Sequence, residues 1–318
     1  MAIPDGLLNG LRLPLIAAPM FLVSGPVLVV ETCRSGVVSA FPAPNARRSE
    51  DFAALLDQIG EGLAAADSHA AHAVNLIVYK TNTRLAADLE IVVGHRVPLV
   101  ITSLGAIRDV VDAVHSYGGL VFHDVINRRH AEKAAEAGVD GIIAVCAGAG
   151  GHAGTMSPFA LLSEIRSFFQ GAVVLSGALS TGRDVAAARL MGADLAYMGT
   201  RFIATRECTA PSAYKEMIVA SSSADVLYTP PKSGVNANFL RPGIVAAGLD
   251  PEHLPAHAKL DMQNEAKAWK SSWSAGQGLS GIGDIPSAAV VCKRLAEEYR
   301  AAMAAAGSDS FVAEKGNV

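Results

Sequence analysis

Short apolar runs alternate with stretches at helical spacing through the first two hundred residues of this chain. The apolar runs fall at 14–18, 37–40, 73–78, 98–101, 119–123, 141–145, 172–176 and 194–198. The helical stretches fall at 25–34, 50–65, 83–93, 106–115, 129–137, 158–169 and 182–191. The second helical stretch carries Phe52, Leu55, Leu56, Ile59 and Leu63 on one face, the pattern of a helix with one buried side. Strands that are apolar throughout, each followed by such a helix, imply a parallel sheet covered on both faces. Eight of them imply closure into a (β/α)8 TIM barrel, an α/β fold, with right-handed crossovers fixing the order. A doubly wound sheet carries its glycine-rich turn after the first strand. Here Ala18, Pro19 and Met20 follow that strand and the glycines come late, which favours the barrel.

The rhythm stops near residue 222. We therefore divide the chain into a barrel at 1–221 and a C-terminal extension at 222–318, with helices and loops that cap the barrel mouth. The segment from Tyr228 to Gly234 reads as a loop, 260–272 as a polar helix, 287–303 as a last helix and 306–318 as a frayed tail. A net charge of -4 without a Lys/Arg cluster excludes a general nucleic-acid role. No stretch of about twenty apolar residues implies a membrane span. Cys33, Cys146, Cys208 and Cys292 lie far apart, without zinc spacing, as reduced thiols do in a cytoplasmic protein.

Barrel active sites form at the carboxyl ends of the strands, and the unusual residues gather there. Pro19 and Met20 follow the first strand, Asn75 lies in the third with Lys80, Asn82 and Arg84 beyond it, and His123 and Asp124 end the fifth. The sixth strand runs into Ala147, Gly148, Ala149, Gly150, Gly151, His152, Ala153 and Gly154. One histidine thus stands on a surface nearly bare of side chains. It suits a flat cofactor beneath a general acid or base, or a plain strand-to-helix turn with a surface histidine. Small residues at Ser176, Gly177 and Ala178 and at Gly199 and Thr200 can present backbone amides to one phosphate beside a helix N-terminus. The bland alternative there is two tight turns. Arg183 and Arg201 can add charge or form structural salt bridges.

Together these pieces resemble the nitronate monooxygenase family, formerly 2-nitropropane dioxygenases, over most of the chain. The residues that carry the resemblance are Ala17 to Met20 with Val23 and Ser24, the run 74–85, His123 to Val125, the run 147–154, the run 198–205, and Trp273 to Gly278 with Gln277. The resemblance implies FMN in the barrel. It implies oxidation of alkyl nitronates, with neutral nitroalkanes as a further substrate class, by molecular oxygen to a carbonyl compound and nitrite. Pro19, Met20 and Asn75 would border the isoalloxazine and ribityl chain. Gly150, Gly151, Gly177, Ala178, Gly199, Thr200 and Gln277 would contact FMN, mainly its phosphate end, with Ser176 in the same turn. His123 stands where some relatives carry lysine and joins the cofactor residues. His152 would be the catalytic base or an electrostatic partner near the reactive nitrogen. Ala178 replaces a glycine frequent in the family, and its backbone donor survives that change.

Two other functions fit the same residues. One is an NAD(P)H-dependent FMN reductase of an enoyl thioester or quinone, which shares the barrel and the Gly-His element. The other is a non-redox phosphate-binding barrel. His69, His72, His95, His115 and His130 read as surface residues of helices or loops. His253 and His257 have metal-like spacing, but Pro255 between them argues against a helical site.

Overall fold

The computed structural model describes residues 3–79, 81–105, 108–229, 236–254 and 273–311. Eight parallel strands close into a barrel. They are β1 (Leu15–Ala17), β2 (Val38–Pro42), β3 (His72–Ile77), β4 (Leu99–Ser103), β5 (Leu120–Val125), β6 (Gly141–Val145), β8 (Ala172–Ser176) and β9 (Leu195–Met198). Ring closure comes from β1 pairing with β9, Ile16 opposite Tyr197 and Ala17 opposite Met198. The expected TIM barrel is therefore the observed fold.

The barrel interior is a packed core. Ile16, Val38, Leu99, Ile101, Phe122, Ile143, Val174 and Leu195 point inward and are fully buried. Each contributes about 1.5–3 kcal/mol from burial. Successive side chains in a strand face opposite ways, so Val100, Val121, Ile142 and Val173 face outward and meet the helices. The outer ring comprises α2 (Pro26–Arg34), α3 (Ser49–Ala64), α4 (Leu85–Gly94), α5 (Arg108–His115), α6 (Arg128–Glu136), α7 (Pro158–Arg166) and α8 (Gly182–Leu190), after a short α1 (Asp5–Leu8). In α3 the buried residues are Phe52, Leu56, Ile59 and Leu63, the face expected from the sequence apart from Leu55. Asn127 caps α6, its side chain accepting from the His130 amide at 2.9 Å.

After β9 come α9 (Thr200–Ile203), α10 (Ser212–Ala220), β10 (Val226–Thr229), β11 (Ala237–Leu240), α11 (Arg241–Ala246) and α12 (Ala288–Gly307). Helix α12 packs on α8 and α2, so the outer ring closes with a helix from the far end of the chain.

Two readings of local structure are corrected. Tyr228 and Thr229 end strand β10 instead of opening a loop. That strand pairs antiparallel with β11, and β11 pairs with the two-residue strand β7 (Gly151–His152). His72 lies in barrel strand β3, and burial pushes its ring down to about 4. Lys80, His257, the expected helix at 260–272 and the tail beyond 311 lie outside the described residues.

Candidate active site

At the carboxyl ends of the strands opens a cavity of about 700 Å³, within the range of about 300–1,000 Å³ typical of sites that enclose a small molecule. Its floor is the last inward layer of the barrel. Strand alternation places Asn75 above Ala73, Ser103 above Ile101, Asp124 above Phe122 and Tyr197 above Leu195. The floor residues are wired together. Asn75 Nδ2 donates to Ser103 Oγ at 2.7 Å and to the Ile101 carbonyl at 3.2 Å. Ser103 Oγ donates to Asp124 Oδ2 at 2.6 Å. Burial pushes the Asp124 carboxyl up to about 6 against the opposing effect of that hydrogen bond. Burial, with the Asp124 charge nearby, raises the Tyr197 hydroxyl well above its usual range.

The opposite wall is the loop after β6. Gly151 sits at φ +70°, in the left-handed region. It pairs with Asn238 in β11, and His152 pairs with Ala237. Side chains from distant segments fix this short strand. Ser274 Oγ accepts from the Gly151 amide at 2.6 Å, and Asn238 Nδ2 donates to the Ala149 carbonyl at 2.6 Å. Tyr228 donates to the Ala153 carbonyl at 3.1 Å. Behind Ser274, Tyr214 donates to its carbonyl and stacks on Trp273 with ring centroids 5.0 Å apart. His152 is half-buried and lines the cavity. Desolvation pushes its imidazole down to about 4, so the ring is neutral at neutral pH.

The structure gathers most of the residues read from the sequence. Pro19, Met20, Asn75, His123, Gly150, Gly151, His152, Ser176, Gly199 and Thr200 all line the one cavity. Gly177, Ala178 and Gln277 are not among the residues that line it. Both the Ala178 and the Gln277 amide donate to the Gly148 carbonyl, at 3.1 and 2.8 Å.

Three expectations need correction. The Ala178 backbone donor is occupied by Gly148, so it is not an open phosphate contact. The N-terminus of α8 holds carboxylates. Ser180 and Thr181 amides donate to Asp184 Oδ2, and the Gly182 amide donates to Glu298 Oε2 at 2.7 Å. Phosphate-compatible backbone thus narrows to Gly177 and the Gly199–Thr200 turn. Nor is the glycine surface as bare as it reads. A Cβ on Gly150 would fall 2.8 Å from the Gly276 amide nitrogen, so glycine at 150 is required by the chain's own segment 273–277. Gly199 differs: a Cβ there would meet Met20 and Ala18 at an ordinary 3.6–3.7 Å, on the cavity wall.

His123 belongs to the outward face of β5, with Val121 and Val125. Its Nδ1 lies 2.7 Å from Thr102 Oγ1, and burial pushes it down to about 4. His130, read as a surface residue, lines the cavity with Lys133 from the same helix. Arg201 is a structural residue, buried and bonded to the carbonyls of Ala204 and Asp284. Cys146 is buried, its thiol pushed up to about 12. His253 pairs with Asp250 on the surface. Sequence reasoning missed Ser103, Tyr197, Tyr214, Asn238 and Ser274. A period-two count along β4 and β9 would have found the first two; the others act from far along the chain and leave no local signal.

The nitronate monooxygenase family profile matches residues 53–312. The chain belongs to the nitronate monooxygenase family. A nitronate monooxygenase from Pseudomonas aeruginosa is 29% identical over 216 residues, 61% of this chain and 60% of that protein. A Rhodococcus jostii protein described as a (3aS,4S,5R,7aS)-5-hydroxy-7a-methyl-1-oxo-octahydro-1H-indene-4-carboxyl-CoA dehydrogenase is 26% identical over 245 residues, 75% of this chain and 65% of its own length. This chain therefore spans less than two thirds of the length of both relatives. The fold matches that of nitroalkane oxidase from Streptomyces ansochromogenes with a TM-score of 0.79 at 23% identity, over 92% of this chain and 97% of that one. No described helix is long and apolar enough to cross a membrane.

Proposed function

We propose that the cavity binds FMN and that the protein oxidises alkyl nitronates with molecular oxygen, giving a carbonyl compound and nitrite. The observation that carries this reading is the position of His152, a neutral imidazole held by a hydrogen-bonded strand on the wall of a cavity whose floor is polar. FMN fits the residues present. Gly199 leaves wall space that a side chain would fill, and the Gly177 and Gly199–Thr200 backbone is compatible with its phosphate. Pro19, Met20 and Asn75 would border its ring. When bound, FMN supplies the electron acceptor and the reaction with oxygen.

The chain's own residues define what else enters. His152 is neutral and can donate a hydrogen bond to an anion or take a proton from a weak carbon acid. Its depressed basicity makes it a poor base for a neutral nitroalkane. A substrate that arrives as the nitronate anion needs no such base, and its charge favours a proton on His152. Lys133 also lines the cavity, and its charge attracts an anion. The purified protein reconstituted with FMN should show one flavin per chain. Anaerobic alkyl nitronate should bleach it quickly, and NADH or NADPH only poorly. A protein that takes up no flavin, or bleaches with neither kind of reductant, sinks the reading.

A second reading has one observation in its favour. Similarity to the Rhodococcus jostii carboxyl-CoA dehydrogenase extends over 75% of this chain. A thioester or quinone oxidoreductase that uses a nicotinamide would bleach with NADH or NADPH and ignore nitronate in the same anaerobic test. Membership of the nitronate monooxygenase family speaks against the non-redox barrel.

A further inference from the structure

Two polar atoms on the cavity floor have no hydrogen-bond partner among the described residues: Asp124 Oδ1 and the Tyr197 hydroxyl. Both are shielded from water, and leaving such groups unsatisfied costs about 1–3 kcal/mol each. A ligand that hydrogen-bonds to the floor recovers that cost. The wiring fixes which Asp124 oxygen meets it. Ser103 has a single hydroxyl proton. It accepts from Asn75 Nδ2 and so gives that proton to Asp124 Oδ2. Oδ1 is left without a partner, buried beneath the cavity floor. A proton added to the carboxyl must reside on Oδ1, which then becomes a donor. Asp124 thus presents one oxygen that switches between acceptor with charge and donor without charge.

The floor formed by Asn75, Ser103, Asp124 and Tyr197 lies under the space that a planar ring would take. We propose that Asp124 lies beneath the bound flavin ring and, through its charge, sets how readily that ring accepts electrons, with Ser103 as its positioning residue. This rests on the FMN reading above. A carboxylate beside a ring that gains negative charge opposes reduction, and the neutral acid does not. The switch falls in an accessible range, because burial places the carboxyl at about 6. The other titratable groups on this cavity are His123 from β5, His152 from β7, Tyr197 from β9, and His130 and Lys133 from α6. His123 and His152 sit near 4 and Tyr197 far above neutrality. His130 is exposed and is removed by substitution in the control.

The test is the two-electron reduction potential of the FMN-loaded protein from pH 5 to 8, measured against reference dyes. The wild type and Asp124→Asn should coincide near pH 5. Above pH 7 the wild-type reduction equilibrium should be less favourable by about tenfold, which is about 30 mV for a two-electron couple. Ser103→Ala should move the break in the wild-type curve to higher pH, because the bond it loses favours the carboxylate. It keeps the question answerable if Asp124→Asn does not fold. A His130→Gln background should leave the break in place. Overlapping curves for wild type and Asp124→Asn overturn the inference. So does a variant that changes only the Michaelis constant, which would make Asp124 a substrate contact. Wild-type protein that takes up no FMN overturns the reading of the site as well, so the two failures are distinct.

Discussion

The Gly151 amide donates to Ser274 Oγ at 2.6 Å, tying the strand that carries His152 to a segment 123 residues further along the chain. The same hydroxyl donates to the Asn238 carbonyl at 2.7 Å. One serine thus joins β7, β11 and the segment around Trp273 and holds His152 in place over the cavity.

Ser274→Ala should leave the Gly151 amide and the Asn238 carbonyl without this link. We expect unfolding free energy to fall by about 1–3 kcal/mol and turnover by up to about 100-fold, the scale of a catalytic group displaced by about 1 Å. Urea titration and steady-state rates check both. A variant with wild-type stability and rate would show that the hydroxyl is not what fixes the strand.

Gly199→Ala separates cofactor space from backbone need. The flavin-free protein should lose no more than about 1 kcal/mol, the range for a helix-entry position, because the Cβ meets only ordinary contacts. FMN affinity should fall at least about tenfold, about 1.4 kcal/mol. Fluorescence titration with FMN reads this directly. Unchanged affinity would move the phosphate away from this turn. Gly151 is a poorer probe, since any side chain at its positive φ strains the backbone.

His152→Asn should keep the fold and the flavin. Turnover of neutral nitroalkanes, already slow with so weak a base, should fall further, by up to about 100-fold, the scale of a lost general base. Turnover of preformed nitronate should fall less. In the wild type, the acid limb of kcat/KM due to His152 should lie near pH 4, where its ring titrates. An acid limb near 6.5 that disappears in the variant would contradict a desolvated imidazole. Equal losses on both substrates would assign His152 to binding.

Acid should destabilise the fold before it reaches the ordinary carboxylate range. His72, His123 and His152 are pushed from 6.5 to about 4. The unfolded chain therefore binds more protons than the native one between those values, and stability falls as pH drops from about 6.5 to 4. Each ring contributes up to about 3 kcal/mol to that loss. Asp124, raised from 3.8 to about 6, works in the opposite direction and offsets one of the three. Urea midpoints should be lower at pH 5 than at pH 7.5. His72→Gln, remote from the cavity, should flatten part of the difference; a variant with the full slope would show that His72 is not desolvated.

The barrel strands were legible because each apolar run is long enough to announce itself, and their ends located Asn75, Gly199 and His152 without any tertiary information. Strand β7 was not legible. It has two residues, and what makes it a strand is Ala237 and Asn238 on a partner that the sequence read as part of an irregular extension. His123 and Asp124 were read as a pair at a strand end. Counting from Phe122 by twos assigns the aspartate to the floor and the histidine to the outer face. Gly150 shows a different limit. The sequence records that a side chain is excluded there, but not whether a ligand or Gly276 excludes it.

The placement of α12 bears on how the molecule is made. The groove between α2 and α8 is filled by residues 288–307, so all eight strands leave the ribosome while that groove is still open. Leu295, Val291 and Cys292, buried in the finished protein, arrive only after all eight strands. Until then the nascent barrel carries an apolar seam along one side, which closes once residues 288–307 have emerged.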